Sequence, residues 1–174
     1  MSLTDKIAEE YAALGSSPNS AVGKTREKAF DAFKKLGIPT TRHEEWKYTN
    51  IKTQLPESLS LVAAAPAQVT DNSFSYLDAI KLVFINGRYS EVQSAHALPE
   101  GLSVVSLNEA ITLHKDHVEK YFGKLVQVNE EHFAALNTAF ATDGVFIHLK
   151  KNTRVEKPIL VIHILDNSNE YFVQ

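Results

Sequence analysis

Residues 133–165 read Phe-Ala-Ala-Leu-Asn-Thr-Ala-Phe-Ala-Thr-Asp-Gly-Val-Phe-Ile-His-Leu-Lys-Lys-Asn-Thr-Arg-Val-Glu-Lys-Pro-Ile-Leu-Val-Ile-His-Ile-Leu, and this stretch decides the fold. Phe133, Leu136, Asn137 and Phe140 fall at i, i+3, i+4 and i+7, which predicts a helix. Asp143-Gly144 is expected to close it, because glycine takes a left-handed backbone at little cost. Two runs rich in β-branched residues follow, Val145–Leu149 and Ile159–Leu165, separated by a polar segment that ends at Pro158. In the first run Val145, Ile147 and Leu149 share one face, with Phe146 and His148 on the other. The second is apolar at nearly every position, which suits a strand covered on both sides. Neither run holds a catalytic constellation. The stretch therefore reads as a building element, whose role lies in what the chain assembles with.

Composition sets outer bounds. The 174 residues are 44% hydrophobic and 22% charged, enough to bury a core in one domain or one and a half. Eighteen Lys and Arg against 21 Asp and Glu leave a net charge of −3, which argues against a strongly basic nucleic-acid surface. There is no cysteine, so neither a disulfide framework nor a thiolate metal ligand can come from this chain. Asp5, Glu9 and Glu10 interrupt the apolar pattern of the first residues, unlike the h-region of a signal peptide. No run reaches the roughly 18 apolar residues of a membrane span.

Outward from the central stretch, Leu3, Ile7, Tyr11 and Leu14 predict a short amphipathic helix closed by Gly15. Residues 16–20 read as a turn-rich link. A second helix is expected from about Val22 to Leu36, with Ala29, Phe30, Phe33 and Leu36 as its stripe and Gly37 and Pro39 as terminators. Thr40 to Ile51 gathers Arg42, His43, Glu44, Glu45, Trp46, Lys47 and Tyr48. It reads as an ordered loop or helical turn anchored by Trp46 and Tyr48, with paired charges around them. Residues 56–71, rich in Ala, Ser and Pro, read as a connection. Lys81–Ile85 predicts a strand, Asn86-Gly87 a type I′ turn, and Arg88–Gln93 the return strand. Leu102–Val105 is a further strand, and Ser106 with Glu109 forms a capping box for the next helix. Helices are expected over about 115–122 and 130–140. Beyond Leu165, Asn167-Ser168-Asn169 reads as a turn, and Glu170 to Gln174 begins a strand-like run. A sheet ending there would leave an unpaired apolar edge, so the chain is expected to be a piece of a longer protein.

Several motifs read better as structure than as chemistry. Gly23-Lys24-Thr25 resembles the tail of a phosphate-binding loop, but the first glycine of that motif is replaced by Pro18 and no strand precedes it. His114 and His117 are spaced for one helix face, without a third ligand at recognisable spacing. His148 and His163, in the two strand runs, are placed to face one another across adjacent strands, where each reads as a satisfied strand histidine. Glu44 and Glu45 beside His43 are expected to be solvated or to pair with Arg42 and Lys47, since no nucleophile is placed near them. Lys150, Lys151, Arg154 and Lys157 read as a charged turn between strands.

The ordered set of patterns resembles a known family. Phe133-x-x-Leu136-Asn137-x-Ala139-Phe140-x-x-Asp143-Gly144, followed by Pro158-Ile159, is similar to the entry to the core of the SufB/SufD family of iron–sulfur cluster assembly proteins. Arg26-x-x-Ala29-Phe30, then Leu36-Gly37-x-Pro39-Thr40-x-Arg42-x-Glu44-x-Trp46-x-Tyr48-Thr49, resembles the N-terminal region of its SufD branch. Phe84-Ile85-Asn86-Gly87-x-Tyr89 resembles that region's hairpin. The resemblance implies an α+β fold: a mixed helical and hairpin N-terminal region over residues 1–128, then the first strands of a right-handed parallel β-helix over 129–174. The two strand runs taken alone suit an antiparallel pair equally well. The resemblance also implies a cytoplasmic, non-catalytic scaffold subunit that works with SufB and the ATPase SufC, whose docking region is not matched here. It carries over no catalytic, cofactor-binding or metal-binding residue. Arg42, Trp46, Tyr48 and the Asn86-Gly87 turn are expected to be structural. The alternative is a small metal- or ligand-binding domain or enzyme that uses His148, His163 or the Arg42–Tyr48 cluster. Self-association through an exposed strand edge is a further expectation, and neither nucleic acid nor membrane is an expected partner.

Overall fold

The computed structural model describes residues 2–15, 20–55, 76–94 and 97–164. In chain order the elements are α1 (Leu3–Leu14), α2 (Ala21–Leu36), 3₁₀ turns at Glu44–Trp46 and Ile51–Thr53, β1 (Ile80–Ile85), β2 (Arg88–Tyr89), β3 (Leu102–Ser106), α3 (Leu107–Leu113), α4 (Lys115–Tyr121), α5 (His132–Ala139), β4 (Val145–Leu149) and β5 (Ile159–Ile164). The architecture is mixed α+β. The chain divides into two compact units, each assembled from two separated segments: Met1–Leu61 with Lys115–Ala141, and Val62–His114 with Thr142–Gln174. The expected connection over 56–71 and the run after Ile164 lie outside the described residues.

The first unit is helical. Ser2 and Asp5 form a capping box at the start of α1. The Ser20 hydroxyl accepts from the Gly23 N–H at 2.9 Å and caps α2. Gly23-Lys24-Thr25 is therefore the first turn of a helix, and the Gly23 N–H is already engaged. Gly37, at φ 67°, ends α2 as the sequence predicts. Ala29, Phe30 and Phe33 are buried. The Tyr11 ring stacks on Phe30 at 3.8 Å and meets Phe140 edge-on at 5.6 Å. The buried face of α5 is His132, Ala135, Leu136 and Ala139, with Phe140 just beyond it. Asn137, placed on the stripe from its spacing, is exposed.

The end of α5 departs from expectation. The helix stops at Ala139, with Phe140 at φ −92° as its cap, and Gly144 is not left-handed. Asp143 is used differently. Its carboxylate accepts from the Gly144 N–H at 2.8 Å and from the Tyr89 N–H at 3.0 Å. The pair thus turns the chain into β4 and fastens β2.

The second unit holds two small sheets, one ordered β2-β1-β5 and the other β3-β4. β1 is antiparallel to β2 and parallel to β5, with Ile80 opposite Ile159 and Phe84 opposite His163. β3 and β4 are antiparallel, with Leu102 opposite Leu149 and Ser103 opposite His148. Ile80, Leu82 and Leu102 form the core, flanked by Tyr89, Leu98, Val104, Val145, Val155 and Ile159. Asn86 and Gly87 take φ 49° and 80°, the two positive values a type I′ turn requires.

The antiparallel alternative is excluded here, and two expectations fail. The two strand runs do not pair with each other: each finds an earlier strand, because β1 and β3 offer apolar partners of matching length. The return strand stops at Tyr89 instead of running to Gln93. After it, the Ser90 N–H reaches the Val83 carbonyl at 2.8 Å, and the Ser94 N–H then turns back to Ser90. The second run is not covered on both faces, since Val161 and His163 are exposed.

Candidate interaction surface

The outer edge of β5 is the clearest unfilled feature of the described residues. The Ile80 N–H donates to the Pro158 carbonyl and the Asn86 N–H to the Ile164 carbonyl, both at 2.9 Å. In a parallel ladder such bonds involve alternate residues, so the backbone groups of Ile159, Val161 and His163 point away from β1. Among the described residues no strand lies on that side.

The side chains agree with the backbone. Paired residues on neighbouring strands share a face. Val161 therefore lies on the face of Leu82, and Leu149 and Ile147 on the face of Leu102 and Val104. Leu82 is fully buried, yet Val161, Ile147 and Leu149 are 44%, 41% and 44% exposed. Each sheet thus carries its inward apolar row out to a final strand that nothing described here covers. At about 25 cal/mol per Å² of apolar surface, covering such rows is favourable, and this surface can bind further strands or apolar side chains.

The histidines are scattered. His148 and His163 sit in different sheets and do not face one another across adjacent strands. His163 stacks on Phe84 at 5.0 Å, and His148 lies 5.9 Å from His114, whose ring stacks on Phe146 at 4.8 Å. His114 is the C-cap of α3, whereas His117 belongs to α4, so the two do not share a helix face. Among the described residues no three His, Cys, Asp or Glu side chains gather as metal ligands.

The Arg42–Tyr48 cluster is partly as expected. Trp46 packs on Phe133 with ring centroids 5.3 Å apart, and Glu44 pairs with Lys47 at 3.5 Å. Tyr48 anchors nothing: it is 92% exposed, with the Lys47 ammonium 5.6 Å from its ring. The tract from Lys150 to Lys157 is a charged turn before β5, in which Lys157 pairs with Asp78. A cleft of about 640 Å³ beside it is lined by Ile80, Leu98, Pro99, Arg154 and Val155, among others.

Sequence reasoning missed or misassigned two side chains that shape the sheet, the second of them read only as part of a helix end. The Ser94 hydroxyl accepts from the Val83 N–H at 2.9 Å and donates to the Ser90 carbonyl at 2.6 Å, replacing the ladder that β2 is too short to provide. Asp143 is the other. No period-2 pattern marks either residue, because each acts on backbone that only the folded chain brings near.

Fold and surface define an α+β chain in which, among the described residues, the outer edge of β5 is uncovered. A family described as the SufBD protein N-terminal region matches residues 2–161, and the chain belongs to this family. It is 26% identical to an iron–sulfur cluster assembly SufBD family protein of Synechocystis, over 90% of this chain and 35% of that protein. It is 29% identical to the iron–sulfur cluster assembly protein SufD of Escherichia coli, over 75% of this chain and 28% of that protein. A SufBD family protein of Arabidopsis thaliana is 41% identical across 34% of this chain and 13% of its own length. The chain therefore spans about a third of the first two relatives. No helix among the described residues is long and apolar enough to cross a membrane.

Proposed function

We propose that this chain is the N-terminal part of a cytoplasmic SufD-like scaffold subunit for iron–sulfur cluster assembly, and that it makes and breaks no bonds itself. Its partners in this reading are SufB and SufC. One observation carries the proposal: Val161, Ile147 and Leu149 lie on core faces and are about half exposed. Such rows suit a protein that continues its sheets with further strands. In this reading residues 129–174 begin a right-handed parallel β-helix, and the parallel pairing of β5 on β1 is of the kind such stacking uses. The family match and the relatives named for cluster assembly support the same assignment.

The test is to extend the chain past Gln174 to the length of its relatives and co-express it with SufB and SufC. The extended protein is expected to co-purify with both and to be more stable than the 174-residue chain. An extended, folded protein that purifies alone overturns the partner assignment. A substrate converted by the purified chain, with turnover lost on replacing one side chain, overturns the scaffold reading.

A further inference from the structure

The cleft beside the charged turn lies where the chain passes from one sheet of the second unit to the other. At one end the Lys150 N–H donates to the Gly101 carbonyl at 2.9 Å, and a β-carbon at Gly101 would strike the Thr153 hydroxyl. At the other end the Ile80 N–H donates to the Pro158 carbonyl at 2.9 Å. Between these two ties, residues 153–156 hold no turn or bend, and their burial alternates. Thr153 and Val155 are half-buried, whereas Arg154 and Glu156 are exposed. A period of two marks extended chain with one face on a core, and Val155 does pack on the core of Ile80, Leu82 and Leu102. The segment is a strand in all but pairing. Among the described residues the backbone groups of Arg154, Val155, Glu156 and Lys157 make no hydrogen bond.

The cleft runs alongside this unpaired segment. Ala97, Leu98 and Pro99 line it from the other side, and Leu98 packs on the same core as Val155. Its volume of about 640 Å³ is enough for a short run of chain. The backbone decides what kind of occupant fits. A small carboxylate or phosphate only accepts hydrogen bonds and would leave the carbonyls of residues 154–157 unmet. An added strand supplies N–H and C=O groups in alternation and meets both kinds. Charge decides the rest. Lys157 is taken by Asp78, but Arg154 and Glu156 have no ion-pair partner among the described residues. Both project from the same exposed side of the segment, two residues apart.

We propose that the segment from Arg154 to Lys157 is a docking edge for an extended segment of another protein, in which an apolar residue opposite Val155 stands between an acidic residue opposite Arg154 and a basic residue opposite Glu156. The apolar residue turns inward, onto the Ile80, Leu98 and Val155 side chains. Its two neighbours turn outward and meet charges of opposite sign, the cross-strand pairing that stabilises a ladder. The site differs from the outer edge of β5, whose outward backbone groups belong to Ile159, Val161 and His163.

The test titrates the nitrogen-15-labelled 174-residue chain with two end-blocked peptides, Thr-Val-Lys-Val-Glu-Val-Thr and the same sequence with lysine in place of glutamate. The mixed-charge peptide is expected to shift the amides of Arg154, Val155, Glu156 and Lys157. It should bind roughly two- to fivefold more tightly than the two-lysine peptide, the range of one cross-strand charge pair. Arg154→Glu changes an exposed side chain, should fold normally, and should reverse that order. Methylating every backbone nitrogen of the mixed-charge peptide should abolish its binding. The proposal is overturned if these amides do not respond, if the shifts are confined to Ile159, Val161 and His163, if Arg154→Glu keeps the original order, or if the methylated peptide binds as well. Shifts of the same amides on diluting the chain alone would assign the edge to a second copy. Hexanoate acting as strongly as the peptide would assign the cleft to a small carboxylate. Either result also overturns it.

Discussion

The Arg26 Nε–H donates to the Ala139 carbonyl at 2.9 Å, joining the middle of α2 to the last residue of α5 across 113 residues of sequence. The carbonyls of a helix's final turn have no partner within the helix, and a cation is favoured there by the dipole. Burial pulls the guanidinium pKa below its usual value, and its Nη2 is buried without a hydrogen-bond partner among the described residues. The contact thus combines a satisfied carbonyl with an incompletely satisfied cation. Arg26→Met keeps most of the apolar stem but leaves the Ala139 carbonyl unmet. It should lower the unfolding free energy by roughly 1–3 kcal/mol. Urea denaturation followed at 222 nm measures this, and an unchanged midpoint would show that the contact contributes nothing.

Ser94 makes a comparable prediction for the second unit. It is 5% exposed, and its hydroxyl is the acceptor for the Val83 N–H. Ser94→Ala should destabilise that unit by about 1–3 kcal/mol, the cost of an unsatisfied buried donor. Amide exchange at Val83 should accelerate more than at Leu82, which lies on the same strand. Uniform protection across β1 in the variant would contradict this account.

The capping boxes set the acid response. The Ser106 hydroxyl, and then its backbone N–H, hold the Glu109 carboxyl below the usual carboxylate range. The Ser2 hydroxyl and backbone do the same for Asp5. A carboxylate whose folded pKa is depressed stabilises the fold above its unfolded pKa. That contribution is lost as pH falls through the folded value. Stability should therefore decline below about pH 4.5, and Glu109→Gln should lower the neutral plateau by that side chain's contribution and flatten the matching part of the decline. Denaturation midpoints measured from neutral pH down to pH 3 decide it, and an acid limb identical in the variant would rule Glu109 out.

The open edge of β5 predicts association. At high concentration the 174-residue chain should form dimers or larger species through the outward backbone groups of Ile159, Val161 and His163. Val161→Lys places a charge on that edge and should shift the population toward monomer with little loss of stability, since Val161 is already 44% exposed. Light scattering across a concentration series reads the result. A strict monomer in the unaltered chain would mean that the edge is protected.

Much of the fold was legible from local chemistry. Ser106 with Glu109, the Gly15 and Gly37 helix ends, and Asn86-Gly87 each specify backbone through neighbours a few residues away, and each lies where the sequence places it. The buried stripe of α2 was legible for the same reason. Errors arose where the partner was distant. Gly144 resembles a helix terminator, but the Asp143 carboxylate draws the turn toward Tyr89 on β2. Tyr48 resembles an anchor, yet it is 92% exposed, and the rings of this turn that meet α5 are those of His43 and Trp46. Of the candidate surface, the apolar character of residues 159–164 could be read in advance, but its exposure could not.

The sequence by itself determined the kinds of element, their ends and their apolar faces, because propensity, capping and periodicity act within a few residues. Only the tertiary structure decided that β4 joins β3 and β5 joins β1, that Arg26 meets Ala139, and that Val161 is left open. Strand pairing and burial depend on which distant surfaces compete for the same partner. That competition is resolved only once the whole chain has packed.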